Sequence, residues 1–487
     1  MIIEILLLLP LITGAACYLL KDARLVTGAS TVGAILIAAA CGWLAYTVFT
    51  GGVVSDDLWY VDALSAYMLA LISLVGLAAA LYSIGYIGRE HREGEIGLNK
   101  VRQYYLFLHV FIFTMLLVCV SDNLGIMWIA IEATTLASAF LVGFYNRDTS
   151  IEAAWKYIII CSVGITLALL GTILLYASSI GPAGEASGAL NWSTLAANAA
   201  SLDPALVKIA FILVLIGYGT KAGFAPMHTW LPDAHSEAPS PISGLLSAVL
   251  LNCAMYGILR YHIIASDALG PGFSGTLLLL FGLLSMATAA AFIILQKDYK
   301  RLLAYSSIEH MGIVAIGFGI GGAVGIFGAL LHMLNHALTK SLMFFGAGNI
   351  LQKFHSKNIG EVRGMATLMP ATAVMFVAGA LAITGSPPFG IFVSEIMILK
   401  AGFETGNYLV SVAYLALLAV IFAGFMYHVG RMAFGEPAPG RVRGEHGYLG
   451  LAVMAVLLLL TLALGLYIPV GLSDIFTQIA SIFGGTS

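Results

Sequence analysis

The chain has 487 residues, of which 60% are hydrophobic and 10% charged, with a formal net charge of −3 and a mean hydropathy of +0.97. Soluble domains carry about 25% charged residues, so one water-soluble core is excluded and an all-α polytopic membrane protein is expected. No basic stripe is present, which excludes nucleic-acid binding.

Apolar runs long enough to cross a bilayer fall near 2–20, 28–50, 62–88, 105–121, 124–145, 152–179, 204–224, 238–262, 275–295, 303–320, 325–350, 367–403, 408–432 and 447–470. At about 20 residues per crossing this predicts about fourteen transmembrane helices. The start, Met1-Ile-Ile-Glu4, lacks the basic flank of a signal peptide, so the first run is expected to be retained. Between runs, the longest polar stretch is 180–203, too short for a catalytic soluble domain. The seventh run ends irregularly at Lys221-Ala-Gly223-Phe-Ala-Pro226. The twelfth contains Gly385-Ser-Pro387-Pro388-Phe-Gly390, where adjacent prolines remove two backbone donors and should break the helix inside the membrane.

With an outside N-terminus and alternating helices, only Lys208, Arg260 and Lys400 of the 22 Lys and Arg face outward. Lys221 and Lys340 lie within the membrane, and the rest, from Lys21 to Arg443, fall in inner loops. This bias predicts an N-out, C-out protein of the inner (cytoplasmic) membrane. Arg260-Tyr-His262 then reads as an interfacial anchor near the outer face. The two interrupted helices are five apart, an odd offset, which predicts two inverted five-helix repeats. The expected organisation is helices 1–3 (1–104), a first repeat of helices 4–8 (105–266), a second of helices 9–13 (275–433), and helix 14 with its tail (447–487).

Glu132, Lys221, His310, His332, His336, Lys340 and Glu395 all fall inside membrane runs. An ionisable group at that depth costs several kcal/mol unless paired or hydrated. A series of them on successive helices reads as a path for protons or sodium ions. Glu132 could pair with Lys221, an attraction of roughly 4 kcal/mol at 4 Å and an effective dielectric near 20. His332, His336 and Lys340, spaced i, i+4 and i+8, line one helical stripe about 12 Å long. His-x-x-x-His could chelate a metal, but no third acidic or thiol ligand stands nearby in sequence, so a relay is expected there. His310 follows Tyr305-Ser306-Ser307 near the start of its run. Cys17, Cys41, Cys119, Cys161 and Cys253 share no ligand spacing and read as buried small hydrophobes. No cofactor or metal is expected in this chain.

Four stretches carry a resemblance: 217–247 (with Trp230-Leu-Pro-Asp-Ala), 296–312 (with Asp298-Tyr-Lys-Arg-Leu-Leu-Ala-Tyr-Ser-Ser), 332–348 and 384–395. They resemble the antiporter-like, proton-conducting membrane subunits of respiratory complex I, multi-subunit sodium/proton antiporters and group 4 energy-converting hydrogenases. The resemblance implies that Glu132 and Lys221 are an input pair, that His310, His336 and Lys340 are a central relay, and that Glu395 is the terminal exchanging residue. It departs at Asn252, where the family usually has lysine. Asn252 together with Ser306-Ser-Ile-Glu-His310 looks most like the hydrogenase-4 or formate hydrogenlyase branch. A proton-translocating subunit of a redox-driven complex follows, with no redox centre of its own. Its partners would be other membrane subunits, further antiporter-like ones included, lipid, and peripheral redox subunits carrying a NiFe centre and iron–sulfur clusters on the cytoplasmic side. A complex I-like subunit, a redox-free sodium/proton antiporter subunit and a non-conducting scaffold are the alternatives.

Overall fold

The computed structural model describes residues 2–180, 190–437, 442–445 and 447–484. Residues 181–189 of the predicted polar stretch and the last three of the C-terminal tail lie outside the described residues. The chain opens with α1 (Ile2–Leu19) and α2 (Ala23–Gly51), followed by a small hairpin, β1 (Val54–Ser55) with β2 (Tyr60–Val61). The hairpin is a minor departure from the expected all-α fold. Next come α3 (Ala63–Arg92), α4 (Leu98–Val120), α5 (Leu124–Val142), α6 (Asp148–Ser179) and the short α7 (Trp192–Ala197). The seventh span is α8 (Pro204–Ala222) with α9 (Trp230–Glu237). The eighth is α10 (Ser240–Leu245), a π-helical turn at 246–250, and α11 (Leu251–Leu269). Then follow α12 (Pro271–Ile294), α13 (Tyr299–Ile320), α14 (Gly322–Phe354), the one-turn α15 (Met365–Leu368), and the divided twelfth span, α16 (Pro370–Ile383) with α17 (Gly390–Glu404). α18 (Tyr408–Phe434), α19 (Tyr448–Leu466) and α20 (Val470–Ile482) complete the described chain.

Thirteen helical stretches among the described residues are long and apolar enough to cross a membrane. Thirteen of the fourteen predicted runs are among them; the twelfth is divided into α16 and α17, each shorter than a full crossing. α20 was not predicted; it is a shorter apolar helix that packs on α14 through Phe476 and Ile479. Aspartate or asparagine caps start several spans: Asp62 accepts from Ser65 N, Asn123 from Gly125 N and Asp203 from Ala205 N.

Burial sorts the helices. The eighth span is wholly buried and α3, α13 and α14 nearly so, whereas α18 and α19 leave most of their apolar surface outward. In a bilayer that outward surface meets lipid, and helices associate through close packing of small residues instead of the hydrophobic effect. On α8, a Cβ at Gly217 would stand 2.6 Å from the Gly164 carbonyl oxygen of α6. On α12, a Cβ at Gly282 would stand 2.7 Å from the Gly312 oxygen of α13. These glycines let the backbones touch.

Arg260 is 2% exposed inside α11, and its guanidinium donates at 2.7 Å to both oxygens of Asp62, the N-cap of α3. It also lies 4.2 Å from the Trp192 ring centroid. A planar, always-charged fork suits a bidentate carboxylate. Burial works against the charge of Asp62, but Arg260 more than offsets this and holds the carboxyl below the usual carboxylate range. All five cysteines are buried and free, as expected.

Candidate functional site

The predicted ionisable residues fall into two groups, one beside each helix break. The first break follows Gly223, which is left-handed (φ 83°), and runs to Pro226. The Ala225 N–H freed there donates to Ser285 Oγ of α12 at 3.0 Å. Lys221 sits in the last turn before this break and is fully buried. The carbonyl end of a helix favours a cation, so the break provides an electrostatic seat for the ammonium. Nζ donates to the Tyr157 hydroxyl at 3.0 Å, and that hydroxyl also bonds Ser138 Oγ at 2.8 Å. Tyr157 in turn stacks on Trp230, centroids 4.6 Å apart, and Trp230 Nε1 donates to Thr220 O.

Glu132, half-buried in α5, accepts from Ser162 Oγ at 2.6 Å and from Thr135 Oγ1 at 3.2 Å. No ion pair joins it to Lys221 among the described residues. α6 contacts both α5 and α8, and its Tyr157 accepts the lysine's hydrogen bond. Hydroxyls of Thr135, Ser138, Tyr157 and Ser162 supply the polar surroundings between the two charges.

The second group lies where α13, α14 and α17 meet. His332, His336 and Lys340 share one face of α14, as their spacing predicts, and all three are fully buried. Lys340 Nζ donates to Leu303 O at 2.8 Å and to Ser306 Oγ, both on α13. His310 lies in mid-helix and is completely buried, deeper than its place in the sequence run implied. Its Nδ1 is 2.9 Å from His332 Nε2, and its ring centroid is 5.1 Å from that of His336. His332 Nδ1 is 2.9 Å from Ser394 Oγ on α17.

Glu395 is 6% exposed and follows the second break, which carries Gly385 (φ 66°), Pro387 and Pro388. Its carboxylate lies against Gly385, where any Cβ would collide with Oε2. Glu395 itself stands in the second turn of α17. Glu395 also lines a pocket of about 220 Å³ with Thr384, Phe392, Tyr414 and Leu418, between α17 and α18.

Single ligand atoms of His310, His332 and Glu395 lie within 4.8 Å of one another. The fold therefore supplies the third donor that sequence proximity did not show. The two imidazoles, however, already engage each other at 2.9 Å, so a metal ion would have to displace that hydrogen bond.

Two further buried groups escaped the sequence reading. Glu309, 1% exposed on α13, lies within electrostatic reach of Lys340 and Glu395. His235 on α9 is fully buried, bonds Leu231 O through Nδ1 and faces Phe344 of α14. Their signal was present, an acid and an imidazole within apolar segments, but each stood beside a more conspicuous residue. Asn252 is buried, donates to Ala248 O at 2.8 Å and leaves its Oδ1 without a protein partner. His109 and His428 bond Ser30 and the α12 carbonyls of Ile293 and Ile294, which are packing roles.

Residues 121–421, more than half the chain, match the family described as NADH:quinone oxidoreductase/Mrp antiporter, TM. The chain belongs to this family. Residues 51–94 match a second description, NADH-Ubiquinone oxidoreductase (complex I), chain 5 N-terminus. The chain is 42% identical over 415 residues to Hydrogenase-4 component F homolog of Methylacidiphilum infernorum (isolate V4), covering 85% of this chain and 86% of that one. It is 34% identical over 349 residues to Hydrogenase-4 component B of Escherichia coli (strain K12), covering 69% of this chain and about half (49%) of that longer relative. In fold it is similar to a chain of the membrane-bound sulfane sulfur reductase, an archaeal respiratory membrane complex, with TM-score 0.87 at 23% identity over 99% of this chain and 97% of that one. This family member is an antiporter-like, multi-pass membrane subunit.

Proposed function

We propose that this subunit conducts protons across the inner membrane within a redox-driven complex of the group 4 membrane-bound hydrogenase type. One observation carries the reading: the half-buried Glu132 and the buried Lys221 at one helix break, and the buried Lys340, His336, His310, His332 and Glu395 beside the other, place ionisable groups inside successive spans. Polar atoms without a protein partner border these groups, including Tyr218 Oη, Asn252 Oδ1, His235 Nε2, both nitrogens of His336 and Glu395 Oε1. Buried polar atoms of this kind are where water is held. Water and His235 then serve the centre of the path, where Asn252 cannot titrate.

Glu132 and Lys221 act as the input, and Glu395 exchanges protons with the outer side, the orientation being N-out and C-out with 105–266 and 275–433 as inverted units. The hydrogenase assignment is supported by the 42% identity to a hydrogenase-4 component F homolog. Electron transfer through a NiFe centre and iron–sulfur clusters in partner subunits supplies the energy; this chain holds neither. The test is the intact complex in proteoliposomes carrying Lys221→Ala or Glu132→Ala. Assembly and electron transfer are expected to persist while proton translocation is lost; unchanged translocation overturns the proposal.

A further inference from the structure

At the end of the molecule that carries Arg89, Arg92 and Arg147, one carboxylate is turned inward. Glu90, in the last turn of α3, is 5% exposed. It lines a pocket of about 130 Å³ whose rim residues Glu93, Glu95, Arg147 and His355 are exposed. The Tyr145 hydroxyl donates to Glu90 Oε1 at 2.7 Å, and the Tyr86 hydroxyl stands 3.3 Å from that of Tyr145. Glu90 Oε2 is buried with no protein partner among the described residues. Deeper in, Tyr86 and Ser240 meet at Gly348 of α14, where a Cβ would stand 3.1 Å from the Tyr86 ring and 2.8 Å from Ser240 Cβ. Ser240 Oγ is likewise without a partner. Two residues before Ser240, Ala238 ends α9, and its carbonyl accepts from Lys300 Nζ at 2.6 Å.

Lys300 is the second residue of α13, yet it is 1% exposed. A lysine at a helix end ordinarily extends its ammonium to water. The neighbouring Arg301 does reach the surface, where it pairs with Asp233 at 2.8 Å. Lys300 makes no ion pair among the described residues. Glu237, Asp298 and Glu90 are the carboxylates within its electrostatic reach, with Lys357 the nearby cation. Glu237 is held by Lys357 at 2.6 Å, and Asp298 by the first amides of α13 and by Ser236, which leaves Glu90. On the other side, His235 in the last turn of α9 lies within electrostatic reach of both Lys300 and Lys340. Lys340 is itself anchored on Leu303, one turn of α13 beyond Lys300.

We infer that Glu90 and Lys300 form a second proton inlet, which loads the Lys340 half of the path directly from the inner face. The inference rests on the proton-conduction reading above. It also gives Asn252 a reason: that residue holds no proton to pass, and the second half no longer depends on the central crossing alone. The Lys300 ammonium gives a proton to His235 Nε2, whose lone pair is free because Nδ1–H donates to Leu231 O. The same Nε2 proton passes to the Lys340 amine, emptied when its own proton moves on toward Glu395, so the His235 tautomer never changes. Glu90 reprotonates Lys300, and pocket water reprotonates Glu90. One proton leaves the inner aqueous phase and one arrives on Lys340; every other group ends as it began. Water at the unpartnered Glu90 and Ser240 oxygens spans the gaps.

The test reads proton translocation per electron in the intact complex, reconstituted in sealed vesicles. Glu90→Gln keeps an acceptor for Tyr145 but has no acidic proton to give, whereas Glu90→Asp keeps a titratable carboxyl. Lys300→Arg keeps a cation for Ala238 O but does not release its proton. Translocation is expected to fall about tenfold or more in Glu90→Gln and Lys300→Arg, the scale of a lost proton-transfer group, and to stay within about threefold of wild type in Glu90→Asp. A purely structural role for the two side chains predicts the reverse order, with glutamine and arginine tolerated and aspartate impaired. Normal translocation in Glu90→Gln or in Lys300→Arg overturns the inference, and so does Glu90→Asp at or below the level of Glu90→Gln. The two positions lie on different helices, so a variant that fails to assemble leaves the other to decide. Lys221→Ala separates the two levels. If Lys221→Ala abolishes translocation while Glu90→Gln and Lys300→Arg do not, only the inlet fails; if Lys221→Ala also translocates normally, the conduction path itself fails.

Discussion

The two breaks carry opposite charges. At the first, a lysine sits in the last turn of α8, at its carbonyl end; at the second, a glutamate in the second turn of α17 lays its carboxylate against Gly385 of the break. Around Lys221 the hydrogen-bond partner is the Tyr157 hydroxyl, while Glu132 is engaged by Ser162 and Thr135. Around Glu395 there are several titratable groups: two hydrogen-bonded histidines and Glu309. The first region resembles a gate on a single charge, and the second a relay in which protons have several acceptors. A sparse site should be sensitive to its geometry, a dense one to the loss of its central cation.

That contrast can be broken experimentally. Apart from the Lys221 and Glu132 variants above, the largest effect is expected for Lys340→Met, which removes the ammonium donor to Leu303 and Ser306; proton translocation should fall by at least about a hundredfold when followed with a pH-sensitive dye. Tyr157→Phe sharpens the picture of the first region. It removes the hydroxyl shared by Lys221 and Ser138 while keeping the ring on Trp230, and should lower translocation by about tenfold. An equal or larger loss than in Lys340→Met would mean that the two regions do not differ in redundancy.

A stability effect comes next and should leave the comparison untouched. Arg260→Leu strands Asp62 inside the protein, with an expected cost of about 3–5 kcal/mol visible as a lower melting temperature in detergent. Because the Asp62 carboxyl is held below its ordinary range, the pair stabilises fully above that range and loses its contribution as pH falls through it. The melting temperature of the wild type should therefore drop on acidification below about pH 4, and that of Asp62→Asn should drop less. The smallest effect is expected for His428→Gln, an exchange at a packing position whose imidazole bonds only backbone carbonyls; translocation should stay within about twofold of wild type, less than any relay loss.

Much of the fold was legible because the membrane imposes one rule, an apolar run of fixed length, and thirteen of the fourteen runs form helices that meet it. The breaks at Gly223–Pro226 and Gly385–Pro388 were legible for the same reason: proline cannot continue a helix without losing a bond. The stripe His332, His336, Lys340 was fixed by helical periodicity alone. What periodicity cannot supply is the partner across a helix boundary. Glu132 and Lys221 invited pairing, yet Lys221 donates to Tyr157 and Glu132 accepts from Ser162 and Thr135. The partner of Arg260, Asp62, lies 198 positions away in sequence, beyond the reach of any local pattern. Glu395 joins the histidines only because the break folds α17 back toward α13 and α14.

The central claim is that this buried line carries protons when its partner subunits transfer electrons. The most direct test is to reconstitute the native complex in sealed vesicles, in sodium-free buffer, and follow internal pH during turnover with its own electron donor. A pH gradient that forms with electron transfer and collapses on adding a protonophore is the predicted result. Sustained electron transfer with no pH gradient would contradict the account.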